Sequence, residues 1–270
     1  MTGPLITFLS DYGHDDEFVG VCHGVIAKIC PEARVIDLTH GIPRHDIRAG
    51  ALALESALPY LPTGVHLAVV DPDVGAERRA VALGLADDRV LVGPDNGLLW
   101  LAAQLGGGVV EAVDIARSPY RLEPLSATFH GRDIFAPVAA RIAAGAELGE
   151  VGDPCDAGAL VTLEMPRARF ENGTVVARVI YIDRFGNVQL GVAHNELADS
   201  GLKLGRPVSI ELPTRATHDA HYLLTFADAE PDGLLLYEDA HRRLAIAVSH
   251  GSAATRLGVA VDDELRITAQ

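Results

Sequence analysis

The sequence predicts an α/β fold in two parts. An N-terminal domain, residues 1–160, is built on a mainly parallel sheet with helices on both faces, and a smaller C-terminal all-β, barrel-like domain covers residues 161–270. Two observations carry this. In the first half, short apolar runs alternate with segments whose apolar residues recur at helical spacing. Past about Gly145 that spacing disappears, and short strand-like runs follow one another between turn residues.

Each element has its own signal. "LITFL" (5–9) is apolar and bounded by turn formers, so it reads as a buried strand. "EFVGVCHGVIAKIC" (17–30) has helical spacing and is stopped by Pro31. "RVIDLT" (34–39) is the next strand, and "DIRAGALALESALPYL" (46–61) is a helix opening on Asp46, which can cap free N–H groups. "VHLAVV" (65–70), "AVALGL" (80–85) and "RVLVGP" (89–94) read as strands. "GLLWLAAQL" (97–105) is a helix ending at Gly106-Gly107-Gly108. "GRDIFAPVAARIAAG" (131–145) is another, with Pro137 in its first two turns. "ELGEVGDPCDAGAL" (147–160), rich in Gly, Asp and Pro, reads as a linker. Beyond it "TVVARVIYID" (174–183), "PVSIEL" (207–212), "GLLLYED" (233–239), "RLAIAV" (243–248) and "ELRIT" (264–268) supply the strands of a small barrel.

Bulk properties exclude several functions. The net charge of -15 argues against nucleic acid, which binds through Lys and Arg patches. No apolar run reaches the ~18–20 residues of a membrane span, so no membrane partner is expected. "MTGPLITFLSDYG" has no basic leader ahead of a long apolar core, and a cytoplasmic location is expected. Cys22, Cys30 and Cys155 form no CxxC and read as buried thiols in a reducing compartment.

Ligands of open α/β sheets bind at the carboxyl ends of the strands. Here Ser10-Asp11, His40, Asp71 and Asp95-Asn96 follow four strands, which places a polar pocket at that rim. "SDYGHDD" (10–16) adds Asp16 and His14 beside a helix start, where Asp15 and Glu17 read as helix-terminus residues. His130-Gly131 precedes another helix, so a histidine paired with Asp71 and Arg78 could orient or deprotonate a water. Arg132 and Asp133 read as an ion pair or a cap. In "IDRFGNVQL" (182–190), Asp183 ends a strand and Asn187 offers a donor and an acceptor together, although good turn residues explain the same string. The chain has no GxxxxGK(S/T) loop, no GxGxxG after a strand and no GxSxG elbow. It has no HxH, HExxH or HxxxH pattern either, so no metal is assigned, and His218/His221 and His241/His250 read as solvated loop residues.

Six stretches, "FLSDYGHDDEFVG", "VIDLTHGIPRHDIRAGA", "VVDPDVGAERRAVAL", "VGPDNGLLWL", "TFHGRDIFAP" and "IDRFGNVQL", stand in the order found in the S-adenosyl-L-methionine hydroxide adenosyltransferases, relatives of the fluorinase and chlorinase enzymes. "RLAIAVSHGSAATRLGV" (243–259) also resembles that family's ending, so the likeness spans essentially the whole chain. It implies hydrolysis of S-adenosyl-L-methionine by water or hydroxide attack at the ribose C5' carbon, giving adenosine and L-methionine, with no cofactor. It implies a homotrimer whose ligand sits between the N-terminal domain of one subunit and the C-terminal domain of its neighbour. The family's water-serving triad falls on Asp71, Arg78 and His130, with Arg79 the weaker match for the arginine. The same matching gives Asp11 the ribose hydroxyls, Asp16 and Asp183 the ammonium or sulfonium end, and Asn187 with the backbone near Ala253 the adenine.

This chain departs from the family at four places. Asp73 replaces a glycine in "DPDVG", which matters if the turn needs positive φ. His45 stands where an aromatic is expected near the ribose, Gln189 and Leu190 vary the ending of the "FGN" motif, and "YEDAHRRL" (237–244) replaces the small polar stretch that grips the methionine carboxylate. Two other readings compete: a non-catalytic binder of adenosine or S-adenosylmethionine, and a metal-dependent phosphoester hydrolase using Asp11, Asp16 and His130.

Overall fold

Strand β1 (Leu5–Ser10) is buried at every residue and lies between β2 (Arg34–Thr39) and β3 (Val65–Val69), parallel to both, in a computed structural model that describes residues 3–270. A β-α-β connection through α1 (Phe18–Ile29) carries the chain outward to β2. Helix α2 (Ile47–Ala57) then returns it to β3 on the other side of β1. The strand order therefore reverses at the β1/β3 pair, the point where an open α/β sheet offers a crevice at its carboxyl end.

The other half of the sheet is antiparallel. β4 (Ala80–Leu85) and β5 (Val90–Pro94) form a hairpin, β5 pairs parallel with β3, and the order runs β2-β1-β3-β5-β4. Helix α3 (Trp100–Leu105) begins three residues later than its sequence pattern predicts, because Asn96 and Gly97 turn the chain first. Strand β6 (Val109–Asp114), which sequence reasoning left unassigned, pairs antiparallel with β4.

Two helical layers cover the sheet. Ile6, Phe8, Leu67 and Val69 face one core together with Cys22 and Ile26 of α1 and Val138 and Ala139 of α4 (Ala136–Ala143). On the other face α2 packs closely enough that a Cβ at Gly50 would lie 2.7 Å from Leu98. The predicted helix over 131–145 is two pieces: Gly131–Phe135 is a π-helical turn, and regular helix begins at Ala136 with Pro137 in its first turn, where no N–H is missed.

The segment 147–160 is not a linker. It forms α5 (Leu148–Val151), whose Leu148 and Val151 are buried in the first core, and β7 (Asp153–Pro154), which extends the sheet beside β6. Its Gly and Asp residues make a tight surface path rather than a tether. One compact unit reaches to Leu163 and the other covers Glu164–Gln270.

The second unit contains β8 (Arg169–Glu171), β9 (Thr174–Ile182), β10 (Val188–Ala193), β11 (Pro207–Glu211), β12 (Thr217–Tyr222), β13 (Leu234–Glu238), β14 (Arg243–Val248), helix α6 (Ala253–Leu257) and β15 (Glu264–Ala269). Strand β10 pairs with both β14 and β9, which closes seven strands into a barrel with β8 added outside β9. Closure removes free edges around an interior filled by Val, Leu and Ile. His218 and His221 lie in β12 and not in a loop. Cys22 and Cys30 are buried thiols, whereas Cys155 is only partly buried.

His66 on β3 is fully buried, and its Nδ1 meets Thr7 Oγ1 at 2.9 Å. Burial, with Arg89 adding to it and Asp87 opposing, pushes its pKa down from 6.5 to about 4. The unfolded chain therefore binds one more proton than the fold between these values, so stability is full above pH 6.5 and falls as pH drops toward 4. This one group costs the fold about 3 kcal/mol across that window. Urea unfolding at steps from pH 7 to 4 should show a clearly shallower loss for His66→Leu than for the parent; equal slopes would refute the assignment.

Candidate functional site

Asp71 lies just past β3 and Arg78 just before β4, so the turn between them folds the two side chains together. That turn depends on Gly75, at φ +85, where a Cβ would lie 2.4 Å from the Ala127 carbonyl oxygen. Asp73 is not among the positive-φ residues, so the glycine missing from "DPDVG" is not required here.

Arg78 Nε donates to Asp71 Oδ1 at 2.8 Å, and its Nη2 donates to Oδ2, making a bidentate fork. Nη2 also lies 3.0 Å from His130 Nδ1. Only 9% of the Arg78 side chain and 6% of the Asp71 side chain are exposed. The guanidinium rests on the Phe135 ring, 5.2 Å from its centroid. Sequence reasoning placed Asp71, Arg78 and His130 in one group, and the structure brings them together.

A guanidinium only donates, so His130 Nδ1 must accept. The ring then carries its proton on Nε2. Burial, and next the charge of Arg78, hold the His130 imidazole below the ordinary histidine range, with Asp71 and Asp133 pulling the other way. The ring is neutral near pH 7.

A cleft of about 310 Å³ opens in front of Asp71 and His130, and Asp11 and Asp16 also line it. Asp11 Oδ2 accepts the His45 N–H at 3.0 Å, holding His45 at the rim with φ +65. Tyr12 and Phe18 complete the wall and were not foreseen. Their signal is the aromatic cluster itself: Tyr12 and Phe18 each pack against Phe129, at 5.8 and 5.1 Å between ring centroids. Gly131 is required by Tyr12, whose hydroxyl lies 2.0 Å from where a Cβ would be. Burial raises the Tyr12 phenol, which stays protonated.

Of the other two strand ends, the one after β2 carries His40, buried with its Nδ1 2.7 Å from Ser10 Oγ, and the one after β5 serves the scaffold. Asp95, nearly buried, accepts from Arg79 Nε at 2.7 Å and from the Val161 N–H at 2.8 Å. Arg79 also donates to the Ala159 carbonyl, so it anchors the segment 159–161 and stands apart from the Asp71 group. Asn96 Nδ2 donates to the Val70 carbonyl at 2.9 Å. Asp133 is buried and takes a two-point contact from Arg132, the expected ion pair. Glu17 stands at the N-terminus of α1, as its reading as a helix-terminus residue expects, without a side-chain capping bond.

In the second unit a cleft of about 720 Å³ is lined by Asp183, Asn187 and Gln189 together with Tyr237, Asp239 and Phe226. Asp183 Oδ1 accepts the N–H groups of Phe185 and Asn187 at 2.8 and 2.9 Å, and its Oδ2 accepts from Asn187 Nδ2 at 2.8 Å. The pair thus holds its own turn rigid. Gln189 Nε2 reaches Asp239 Oδ2 at 2.5 Å, so two departures from the family pattern are partners. Ala253 is fully buried at the start of α6 and does not line this cleft.

Asp11, Asp16 and His130 do not form a metal-ligating cluster. Among the described residues, ligand atoms close enough to share an ion occur at His23, Asp37 and His40, none of which lines either cleft.

Residues 6–152 match the SAM hydroxide adenosyltransferase N-terminal domain, and residues 177–266 match the corresponding C-terminal domain. An (R)-S-adenosyl-L-methionine hydrolase of Salinispora arenicola is 48% identical over 266 residues, 98% of each chain. An enzyme of the same name from Thermus thermophilus is 37% identical over 94% of this chain and 95% of its own, and a fluorinase of an Actinoplanes species is 29% identical over 90% of both. The crystal structure of an uncharacterized conserved protein from Thermotoga maritima superposes with a TM-score of 0.90 at 34% identity, covering 97% of this chain and 99% of that one. The chain belongs to the SAM hydroxide adenosyltransferase family.

Proposed function

We propose that the protein hydrolyses S-adenosyl-L-methionine to adenosine and L-methionine, acting on the (R) epimer named for its relatives. The observation that carries this is the Asp71–Arg78–His130 group facing a cleft, which a pure binder of the nucleoside does not need.

A water at this group has two protons and two lone pairs to place. Each carboxylate oxygen of Asp71 accepts from Arg78 and keeps a further lone-pair direction, so one can accept a water proton. His130 Nε2–H donates to the same water. One lone pair then remains for C5'. As the C5'–O bond forms, the C5'–S bond breaks and its electrons return to sulfur, leaving neutral methionine thioether. The proton passes from water to Asp71 and on to solvent. A neutral sulfide needs no acid to leave, so catalysis rests on holding and deprotonating water, whose pKa is about 15.7 when free. His130 is the positioning donor and Asp71 the base.

Asp11 is proposed for the ribose hydroxyls, Asp16 and Asp183 for the cationic end, and Asn187 with the backbone near Ala253 for the adenine. The motif positions support these assignments, and the carboxylates suit a substrate carrying sulfonium and ammonium charges. The chemistry uses no cofactor. A homotrimer, with the site completed by a neighbouring subunit, is part of the same proposal. Its support is that Asp11 and Asp16 line the cleft of one unit and Asp183 and Asn187 that of the other, and light scattering should give three times the mass of the chain.

Incubation of chelator-treated protein with each separated epimer in ¹⁸O-labelled water tests the reaction. Adenosine carrying one ¹⁸O on its 5' oxygen, formed from the (R) epimer, is expected; substrate retained unchanged on the protein would favour a binder.

Asp71→Asn should lower kcat by about 10²- to 10⁴-fold, the usual range for a lost acid–base group. His130→Gln, which places an amide N–H near the position of Nε2, should keep at least tenfold more kcat than His130→Ala. Equal losses would assign His130 as the base. The pH profile follows from the lowered His130 pKa: protonation would remove the Nδ1 acceptor that Arg78 meets and displace the ring, so the acid limb of kcat/KM should fall below pH 6.5, and a limb above it would contradict the neutral tautomer.

A further inference from the structure

His23 on α1, Asp37 on β2 and His40 just past β2 bring three ligand atoms within 4.8 Å of one another. Nε2 of His23 lies 2.8 Å from Asp37 Oδ1, and Nε2 of His40 lies 3.1 Å from the same oxygen. A tetrahedral ion with zinc-type bonds holds its ligand atoms about 3.3 Å apart. These two contacts therefore need to spread by only a few tenths of an ångström to receive one.

His40 supplies the independent observation. Its side chain is fully buried, and its Nδ1 meets Ser10 Oγ at 2.7 Å. Its Nε2 has no hydrogen-bond partner, because the Asp37 oxygen, although close, lies off the direction a ring N–H requires. A buried ring nitrogen without a partner is costly, and it points into the cluster. With the ring proton on Nδ1 and donated to Ser10, Nε2 keeps a lone pair for a cation. The serine contact is also the outer-shell bond that fixes a ligating imidazole.

We propose that His23, Asp37 and His40 form a binding site for one first-row divalent cation, zinc by preference, which clips α1 to the end of β2. Two imidazoles and a carboxylate suit such an ion, and the partly exposed His23 and Asp37, at 36% and 37% of their side chains, leave an entry path and room for a water as fourth ligand. The clip stands behind the substrate rim: the His40 carbonyl accepts the Gly13 N–H at 2.8 Å, and Ser10 Oγ accepts that of Tyr12 at 3.3 Å. It shares no residue with Asp71, Arg78 and His130, and it does not rest on the proposed hydrolysis.

The full-length, chelator-treated protein should be titrated with Zn²⁺ alone by calorimetry and with Co²⁺ by visible absorption. One ion per chain, a tetrahedral Co²⁺ spectrum and a rise of the thermal midpoint with Zn²⁺ are expected. His23→Gln and Asp37→Asn, both on the open side, should each weaken binding by more than about tenfold while hydrolysis without metal is unchanged. Should His23→Gln melt below the metal-free parent, His23→Cys, which restores a ligand at that position, recovers binding. Affinity unchanged in both variants, failure of the cysteine to recover it, or no saturable binding would overturn the proposal and leave a plain His–Asp–His chain.

Discussion

Arg78 has five N–H donors and no acceptor, and the surrounding groups are arranged by that one-sidedness. Its fork fixes the plane of the Asp71 carboxylate, and its contact with His130 leaves Nδ1 no role but acceptor. One side chain thereby sets the direction of a base and the tautomer of a ring. Lysine has no planar fork, so it could not fix the carboxylate plane by two parallel bonds while also meeting His130. The contact must also survive burial: with both side chains over nine-tenths covered, removing either partner strands the other charge at a cost of about 3–5 kcal/mol. The Gly75 turn and the Phe135 ring beneath the guanidinium are consequences of this requirement, since each brings the fork to one place.

The sheet supplies the rest of the placement. Because β2 and β3 lie on opposite sides of β1, the chains leaving β1 and β3 diverge and open a crevice between Asp11 and Asp71. His130 stands at the start of a helix that does not begin as regular α-helix. Gly131–Phe135 widens into a π-helical turn, and Gly131 lets the backbone pass the Tyr12 hydroxyl. Such local widening is a common sign of a functional position.

What could be read beforehand was local. The apolar run of β1, the Asp46 cap of α2, whose carboxylate accepts the Ala49 N–H at 2.9 Å, and the carboxylates following β1 and β3 all sit in the sequence as patterns. What escaped was decided by distant partners. Strand β7 exists because residues 153–154 find β6, some forty residues earlier. Arg79 and Arg78 are neighbours just ahead of β4, yet one faces Asp95 and the other Asp71. His40 follows a strand as Asp71 does, but it is turned inward onto Ser10. The tautomer of His130 depends on a contact 52 residues away in sequence and has no local trace.

The proposed nucleophile follows from the same inventory of donors and acceptors. A water offers a proton to Asp71 and a lone pair to His130 Nε2–H, so both partners are satisfied and one lone pair is left over. A halide ion offers no proton. Placed at the same point it would meet the carboxylate as one anion meets another, at a cost of about 4 kcal/mol for charges 4 Å apart near a protein surface. Arg78 reduces that repulsion but does not remove it, because the guanidinium stands behind Asp71, bonded to both its oxygens, and not in front of it. Selection between water and halide therefore requires no difference in pocket size. On the proposed mechanism it is set by whether the group beyond β3 accepts a hydrogen bond from the nucleophile, as the Asp71 carboxylate can.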